Sequence, residues 1–390
     1  MLTVNGTDKL RGYNGTAWWT DGDGTHDVTG VDTATISDIT LFKNRIWMIQ
    51  ANTLNAWYLP TSSIAGAAQQ FPLQSVAHEG GYLVAMGAWT IDAGYGVDDL
   101  MVFVTNKGEV IVYRGTDPAS ITTWALVGVW ALGSPVGKRC LMKFGGDLLF
   151  ISQDGLVPMG TALQSSRVNP RVSLTDKIQW AVSQAVTNYG QNYGWQCTYF
   201  PKENMLLLNV PIKEGSNQEQ YVMNSITKSW CRFTGFNANC WIVYGDFLYF
   251  GSNGFIGKAW DTQSDNGANI NAEAQQAFNY FSSPGKQKQF TMARPTILTN
   301  GFPQLLVKMN LDYTTASNYA PLSYSGTAYA VWDVAQWDIG QWGDILSVQR
   351  NWQGLTGIGF AGSIEFEVAS NSIETHWVST DIVFNEGGTL

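Results

Sequence analysis

Residues 146–155, GDLLFISQDG, and residues 245–254, GDFLYFGSNG, repeat one pattern. In each, Gly-Asp leads into a short apolar and aromatic run, and Asp-Gly or Asn-Gly closes it. The closing pairs suit tight hairpins, because both central residues of a type I′ turn need φ > 0. Looser copies lie at 99–113 (DLMVFVTNKGEVIVY), 44–59 (NRIWMIQANTLNAWYL) and 221–233 (YVMNSITKSWCRF), with a shorter one at 9–19 (KLRGYNGTAWW). Repeated hairpins of this kind predict propeller blades, small antiparallel sheets that bury their faces only against neighbouring blades. Residues 1–261 therefore read as a β-propeller of five to seven blades. A long β-sandwich would also give alternation and turns, but it explains the Gly-Asp repeats less well.

One helix interrupts the strands. In SLTDKIQWAVSQAVTNYG (173–190), Ile178, Ala181, Val182, Ala185 and Val186 keep the rhythm of a single apolar helical face. Ser173 or Thr175 is the expected N-cap, Asp176 falls in the first turn, and Asn188 and Gly190 can end the helix. Residues 262–289 then run from a Ser/Asn/Gly cluster through a helix-like patch to a Pro-Gly break, which predicts a linker with a short helix. Residues 290–390 return to strand patterns, with alternation in SIEFEVAS (363–370) and ETHWVSTDIVF (374–384). The expected fold class is all-β: a propeller with one inserted helix, followed by a smaller C-terminal sandwich-like domain.

Composition bounds the function. The chain has 390 residues, 45% hydrophobic and 14% charged, which describes folded rather than disordered protein. Its net charge of −9 and the absence of basic runs argue against a nucleic-acid reader, which needs a cationic patch. The N-terminus has no secretory pattern, and no apolar run reaches the roughly 18–20 residues of a membrane span. Cys140, Cys197, Cys231 and Cys240 show no Cys-x-x-Cys spacing and read as reduced, partly buried thiols of a chain folded in a cytoplasm.

Chemistry-bearing motifs are sparse. His26, His78 and His376 are far apart, with no zinc spacing, and neither a nucleophile elbow nor a phosphate loop is present. GIGFAG (357–362) sits among strands and reads as a strand connection. In DGDGTHDVTGVD (21–32), Asp21, Asp23 and Asp27 take oxygen-ligand offsets of a calcium loop. His26 stands where that loop needs Gly, however, so an acidic hairpin turn is the better reading. Asp92, Asp98 and Asp99 could serve a glycosidase only if the fold paired carboxylates across a cleft. Trp-Asp pairs at 260–261, 332–333 and 337–338 lack the blade-by-blade placement of WD40 repeats. No catalytic or cofactor-binding residue is expected.

AVWDVAQWDIGQWG (330–343) spaces Trp332, Trp337 and Trp342 by five, a step that suits neither strand nor helix. Asp333 and Asp338 after the first two favour successive turns. These three rings are expected to form an aromatic wedge against the propeller or a neighbouring subunit.

Several segments together resemble the virion tail proteins of tailed bacteriophages. These are the nozzle or tail-hub proteins of short-tailed phages and the related packaged-DNA stabilisation (head-to-tail) proteins. The segments are LFKNRIWMI…WYLP, GGYLVAMGAWTIDAGYGVDDLMVFVTNKGEVIVYRGTDP, YVMNSITKSWCRFTGFNANCW, AFNYF…GKQKQFTMARP and VWDVAQWDIGQW, spread over 41–343. The resemblance implies a propeller-based ring, commonly a hexamer, below portal and adaptor proteins. Such a ring encloses the DNA exit channel and carries fibres, spikes or a plug. It implies a non-enzymatic structural role in the virion tail, assembled in the host cytoplasm, with DNA passing without sequence-specific binding and no membrane contact. An acidic lumen suits that role because it repels phosphate. The alternative is a carbohydrate-binding or carbohydrate-cleaving propeller that contacts the host surface.

Overall fold

A computed structural model describes residues 1–92, 97–163, 173–316, 319–324 and 346–387. Contacts divide the chain into two compact units, Met1–Ala259 and Trp260–Leu390.

Among the described residues, the first unit holds six small antiparallel meanders in chain order. Blade 1 is Leu2–Thr3, Arg11–Tyr13 and Trp18–Thr20. Blade 2 is Ile36–Phe42, Arg45–Gln50, Asn55–Tyr58 and Gln69–Pro72. Blade 3 is Leu83–Asp92, Val97–Thr105, Glu109–Gly115 and Trp124–Ala131. Blade 4 is Leu141–Phe144, Asp147–Ser152 and Gly155–Pro158. Blade 5 is Gln196–Phe200, Met205–Lys213, Asn217–Asn224 and Trp230–Thr234, and blade 6 is Cys240–Tyr244, Phe247–Gly251 and Ile256–Ala259. The first strands of blades 2 to 6 lie beside one another in that order, which is the arrangement of a β-propeller.

The blades stack because their middle strands are apolar at both parities, and side chains alternate between faces with period two. In blade 2, Ile46 and Met48 enter the core shared with blade 1, while Trp47 and Ile49 enter the core shared with blade 3. In blade 3, Met101 and Phe103 face back to blade 2, and Leu100, Val102 and Val104 face forward. In blade 5, Leu206, Leu208 and Val210 face back, and Met205 and Leu207 face blade 6. Each fully buried Val, Leu, Ile or Phe adds roughly 1.5–3 kcal/mol, so the stack is held by its interblade layers.

Side-chain hydrogen bonds also link the first strands. Gln196 of blade 5 donates from Nε2 to the Trp241 carbonyl (2.8 Å) and accepts the Trp241 N–H at Oε1 (3.0 Å). Asp38 of blade 2 accepts the Met86 N–H of blade 3 at 3.1 Å and the Ile39 N–H at 2.9 Å. Burial raises the Asp38 carboxyl from 3.8 to about 6, against the pull of those two amides. A carboxyl raised on folding contributes stability that is full below its unfolded value and lost as pH rises through the folded one. Wild-type stability is therefore expected to fall by about 2–3 kcal/mol through this group between pH 4 and pH 7, at 1.36 kcal/mol per pKa unit. Asp38→Asn should flatten that dependence but not stabilise the protein, because its one acceptor oxygen leaves either the Ile39 or the Met86 N–H facing an amide NH2. Thermal melts of both proteins from pH 4 to 7 check this, and parallel pH profiles would sink it.

The two repeats that suggest blades are offset by one residue in the structure. In blade 6 the turn is Gly245-Asp246, both at positive φ (56° and 63°), with Tyr244 opposite Phe247. In blade 4 the turn is Gly145-Gly146, with Phe144 opposite Asp147. Asp147 there begins a strand and accepts the Leu148 and Gly160 N–H groups. The equivalent residues thus differ by 100 in number, not by the 99 that aligning Gly-Asp gives.

The inserted helix is shorter than expected, Gln179–Tyr189, preceded by a 3-10 turn at Asp176–Ile178. Neither Ser173 nor Thr175 caps it. Both are buried, hydrogen bonded to each other at 2.7 Å, and spend their hydroxyls on Leu156 of blade 4. Val182 and Ala185 supply its buried side.

The second unit is a two-sheet sandwich. One sheet has the order Ile270–Gln275, Gly362–Ser370, Gln304–Leu311, Ala320–Pro321. In the other, Lys288–Thr299 pairs with Ser347–Arg350, Gln353–Gly359 and Thr375–Glu386. Phe290, Ile297, Val307, Met309, Ile364 and Phe366 fill the space between them. Residues 262–289 correct the expected linker: the helix-like patch is the edge strand Ile270–Gln275, with all six residues exposed. Pairing with Gly362–Ser370 outweighs the local helix preference of Ala and Glu. GIGFAG turns at Phe360-Ala361 between two strands, where Asp312 Oδ1 accepts both N–H groups at 2.8 and 2.9 Å.

Candidate functional site

The acidic loop near the N-terminus spends its carboxylates on itself. Asp21 is buried, accepting the Val28 N–H (2.8 Å) and the Thr33 hydroxyl (2.6 Å). Asp27 accepts the Gly22 and Gly24 N–H groups, and Asp23 those of Thr25 and His26. His26 also reaches Asp23 through its ring at 2.8 Å, and this bond chiefly holds the Asp23 carboxyl down at about 2. Among the described residues, the carboxylates that could share one ion are Glu273, Glu365 and Glu367. Asp21, Asp23 and Asp27 are not brought together, so the calcium candidate is a set of turn anchors.

Lys43, Arg45, Asp99 and Asp117 line an open cleft of about 640 Å³ between blades 2 and 3. Lys43 Nζ meets Asp99 at 2.5 Å, Arg45 meets Asp117 at 3.2 Å, and the Thr90 hydroxyl donates to Asp99 at 2.9 Å. The Lys43 bond lowers the Asp99 carboxyl below the ordinary range. A carboxylate so fixed does not donate protons near neutrality, and a glycosidase acid must. The side chains of Asp92 and Asp98 lie outside the described residues.

A second polar cluster was not singled out in the sequence. On the outer side of one sandwich sheet, Lys308 and Glu365 form a pair at 2.7 Å, with side chains 4% and 3% exposed. Lys308 also donates to Tyr319 at 2.5 Å, Tyr319 donates to Glu367, and Asn310 donates to Glu365. Burial pushes the Glu365 carboxyl up, and hydrogen bonds from Glu273, Lys308 and Asn310 reverse this, leaving it below its usual value. Glu273, sharing a hydrogen bond with Glu365, is raised. The Lys308 ammonium balances Glu365 alone and leaves Glu273 and Glu367 with excess negative charge, and the hydrogen-bonded Lys308–Glu365 pair reads as a structural lock. The strand parity of Lys308 and Asn310 against Glu365 and Glu367 was the signal that could have found it.

Among the described residues, blade 6 carries a cluster of exposed apolar side chains. Its Trp241, Leu248 and Ala259 pack on blade 5. Its other face carries Ile242, Tyr244, Phe247 and Ile256, which are 61%, 75%, 38% and 80% exposed. Register places them side by side: Tyr244 faces Phe247, Ile242 faces Tyr249, and Gly251 faces Ile256. Contiguous exposed apolar surface on a sheet marks an interaction site. Trp332, Trp337 and Trp342, expected as the interface wedge, lie outside the described residues.

No family model and no curated protein matches the chain. Among solved structures, a Bacteroides uniformis protein assigned as a 6-phosphogluconolactonase is similar at 10% identity and TM-score 0.37, over 66% of this chain and 79% of its own. The WD40 domain of SCAP from fission yeast is similar at 10% identity and TM-score 0.28, over 86% and 84%. A Bacillus subtilis glycoside hydrolase family 43 arabinoxylan arabinofuranohydrolase is similar at 10% identity and TM-score 0.22, over 99% and 93%. These likenesses carry no functional argument, and the propeller assignment stands on the blades themselves.

Proposed function

We propose that this chain is a structural component of a bacteriophage tail, a ring-forming nozzle or hub protein that surrounds the genome's exit path. The observation that carries the reading is the open aromatic face of blade 6. A side chain such as Tyr244 at 75% exposure, beside Ile242, Phe247 and Ile256, suits assembly. The sequence resemblance supplies the kind of assembly: a ring, hexameric in the family, that meets portal and adaptor proteins above and fibre, spike or plug proteins below. The net charge of −9 suits a channel through which DNA slides without adhering. The protein acts without catalysis or cofactor and resides in the virion.

Purified protein is expected to join rings of portal and adaptor, visible by native mass spectrometry and negative-stain imaging. A protein that never joined them and instead bound or cut a cell-surface glycan would overturn this reading in favour of a carbohydrate-directed propeller.

A further inference from the structure

We propose that the edge strand Ile270–Gln275 is a docking site for an extended segment of another protein. That segment adds to the open edge of the sheet, with Lys or Arg opposite Glu273 and apolar residues on either side of it.

The backbone is laid out for such an addition. Among the described residues, Ile270–Gln275 ends its sheet, and all six of its residues are exposed. Just beyond it, the Gln276 N–H donates to the Ile364 carbonyl at 2.9 Å, in register with the strand's own pairing. Antiparallel partners exchange hydrogen bonds at every second residue, so the even-numbered residues bond to Gly362–Ser370. Asn271, Glu273 and Gln275 therefore turn their N–H and C=O groups outward. Edges are commonly blunted by Lys, Pro or a bulge. Ile270–Gln275 has none of these, and its register runs without a shift.

The side chains specify which segment fits. On the outer face Glu273 lies directly opposite Glu367, and carboxylate oxygens of Glu273, Glu365 and Glu367 lie within 4.8 Å of one another. Lys308 supplies one ammonium, to Glu365, so this face is short of positive charge. A residue paired with Glu273 across the open edge puts its side chain on that same face, where a cation meets the uncompensated acids. On the inner face Ala272 and Ala274 lie opposite Val368 and Phe366. Their side chains end at Cβ, which leaves room for the apolar residues that flank the cation. A second copy of this strand does not fit. Antiparallel pairing centred on Glu273 would set two like charges directly opposite, which is destabilising. A divalent ion fits less well than a basic side chain, because the Lys308 ammonium already stands 2.7 Å from one of the acids.

The test uses the full chain and a fluorescein-labelled peptide, Thr-Val-Thr-Val-Lys-Val-Thr-Val-Thr, read by fluorescence anisotropy. The peptide is expected to bind, and added salt to weaken the complex. Glu273→Lys should weaken binding at least about 10-fold, through loss of a charge-assisted hydrogen bond. The same peptide with Glu at its centre should bind that variant better than it binds wild type. Glu273→Gln serves if the charge reversal disturbs folding. Asn271→Pro removes an outward N–H and spares the ladder, so it should weaken binding while thermal melts stay near wild type. A peptide that did not bind, or that bound these variants like wild type, would overturn the inference. So would calcium uptake by wild type that Glu273→Gln abolished while no peptide bound, since the acids would then serve a metal. Neither ring assembly nor any phage protein enters these measurements, so the ring reading and the docking site can fail separately.

Discussion

Replacing Lys308 by methionine lowers the stability of the C-terminal unit by about 3 kcal/mol, the low end for removing one partner of a buried ion pair. The low end applies because the pair sits on the outer side of its sheet rather than between the two layers. The ammonium that holds Glu365 at 2.7 Å is lost, while Asn310 still donates to a carboxylate with 3% of its side chain exposed. Tyr319 and Glu273 are left around an unbalanced charge, and the Glu365 carboxyl must rise. In the wild type its lowered pKa means that its share of stability is present above the ordinary value of 4.5 and lost as pH falls through the folded one. In the variant that dependence reverses, so acid should partly rescue it. Lys308→Met/Glu365→Leu is expected to recover most of the loss, because a buried pair replaced whole by apolar groups is often neutral. Denaturant titrations of the four proteins of this cycle give the coupling. A single-variant loss under about 1 kcal/mol would mean that solvent screens the pair as it does at an exposed surface.

The cluster illustrates what one sequence does and does not disclose. Strand parity placed Glu365 and Glu367 on the face away from Ile364 and Phe366, but pairing with Lys308 depends on which strand lies beside Gly362–Ser370. That choice is made 55 residues away, between Asn310 and Glu365. Hairpins were legible because their partners are adjacent in the chain and glycine marks the turns. Their register was less so: Gly-Asp is a strand start in blade 4 and a turn in blade 6, since Gly146 already supplies the turn that Asp246 must make. The helix cap was misread for a similar reason, because Ser173 and Thr175 find the backbone of Leu156 before that of their own helix. At 270–275 helix-favouring residues took an edge strand, where an open row of backbone groups on Gly362–Ser370 offered more than local preference could. The cleft beside Asp99 needed three-dimensional pairing with Lys43, 56 residues distant.

Leu156→Ala is expected to cost about 2–5 kcal/mol, while Ile256→Ala, at the equivalent position of a twin hairpin, stays within about 0.5 kcal/mol in the unassembled chain. Both residues begin or nearly begin the third strand of a three-stranded blade and point toward the place of the next blade. Leu156 is 0% exposed there, and Ile256 is 80% exposed. Removing the first leaves a cavity in the core that blade 4 shares with the inserted helix and blade 5, with a transfer loss and lost contacts together. Removing the second uncovers nothing, so in dilute solution the unfolding midpoint should hardly move. The difference is one of neighbours and not of side chain, since Leu and Ile lose similar area when truncated. Raising the protein concentration should then expose the hidden cost. If a second copy covers Ile256, the unfolding midpoint of wild type climbs with concentration and that of Ile256→Ala lags behind it, as linkage of association to folding requires. Calorimetry at two concentrations reads both effects. Equal costs for the two substitutions in dilute protein would show that blade 6 is already covered within its own chain, and the observation that carries the ring reading would be gone.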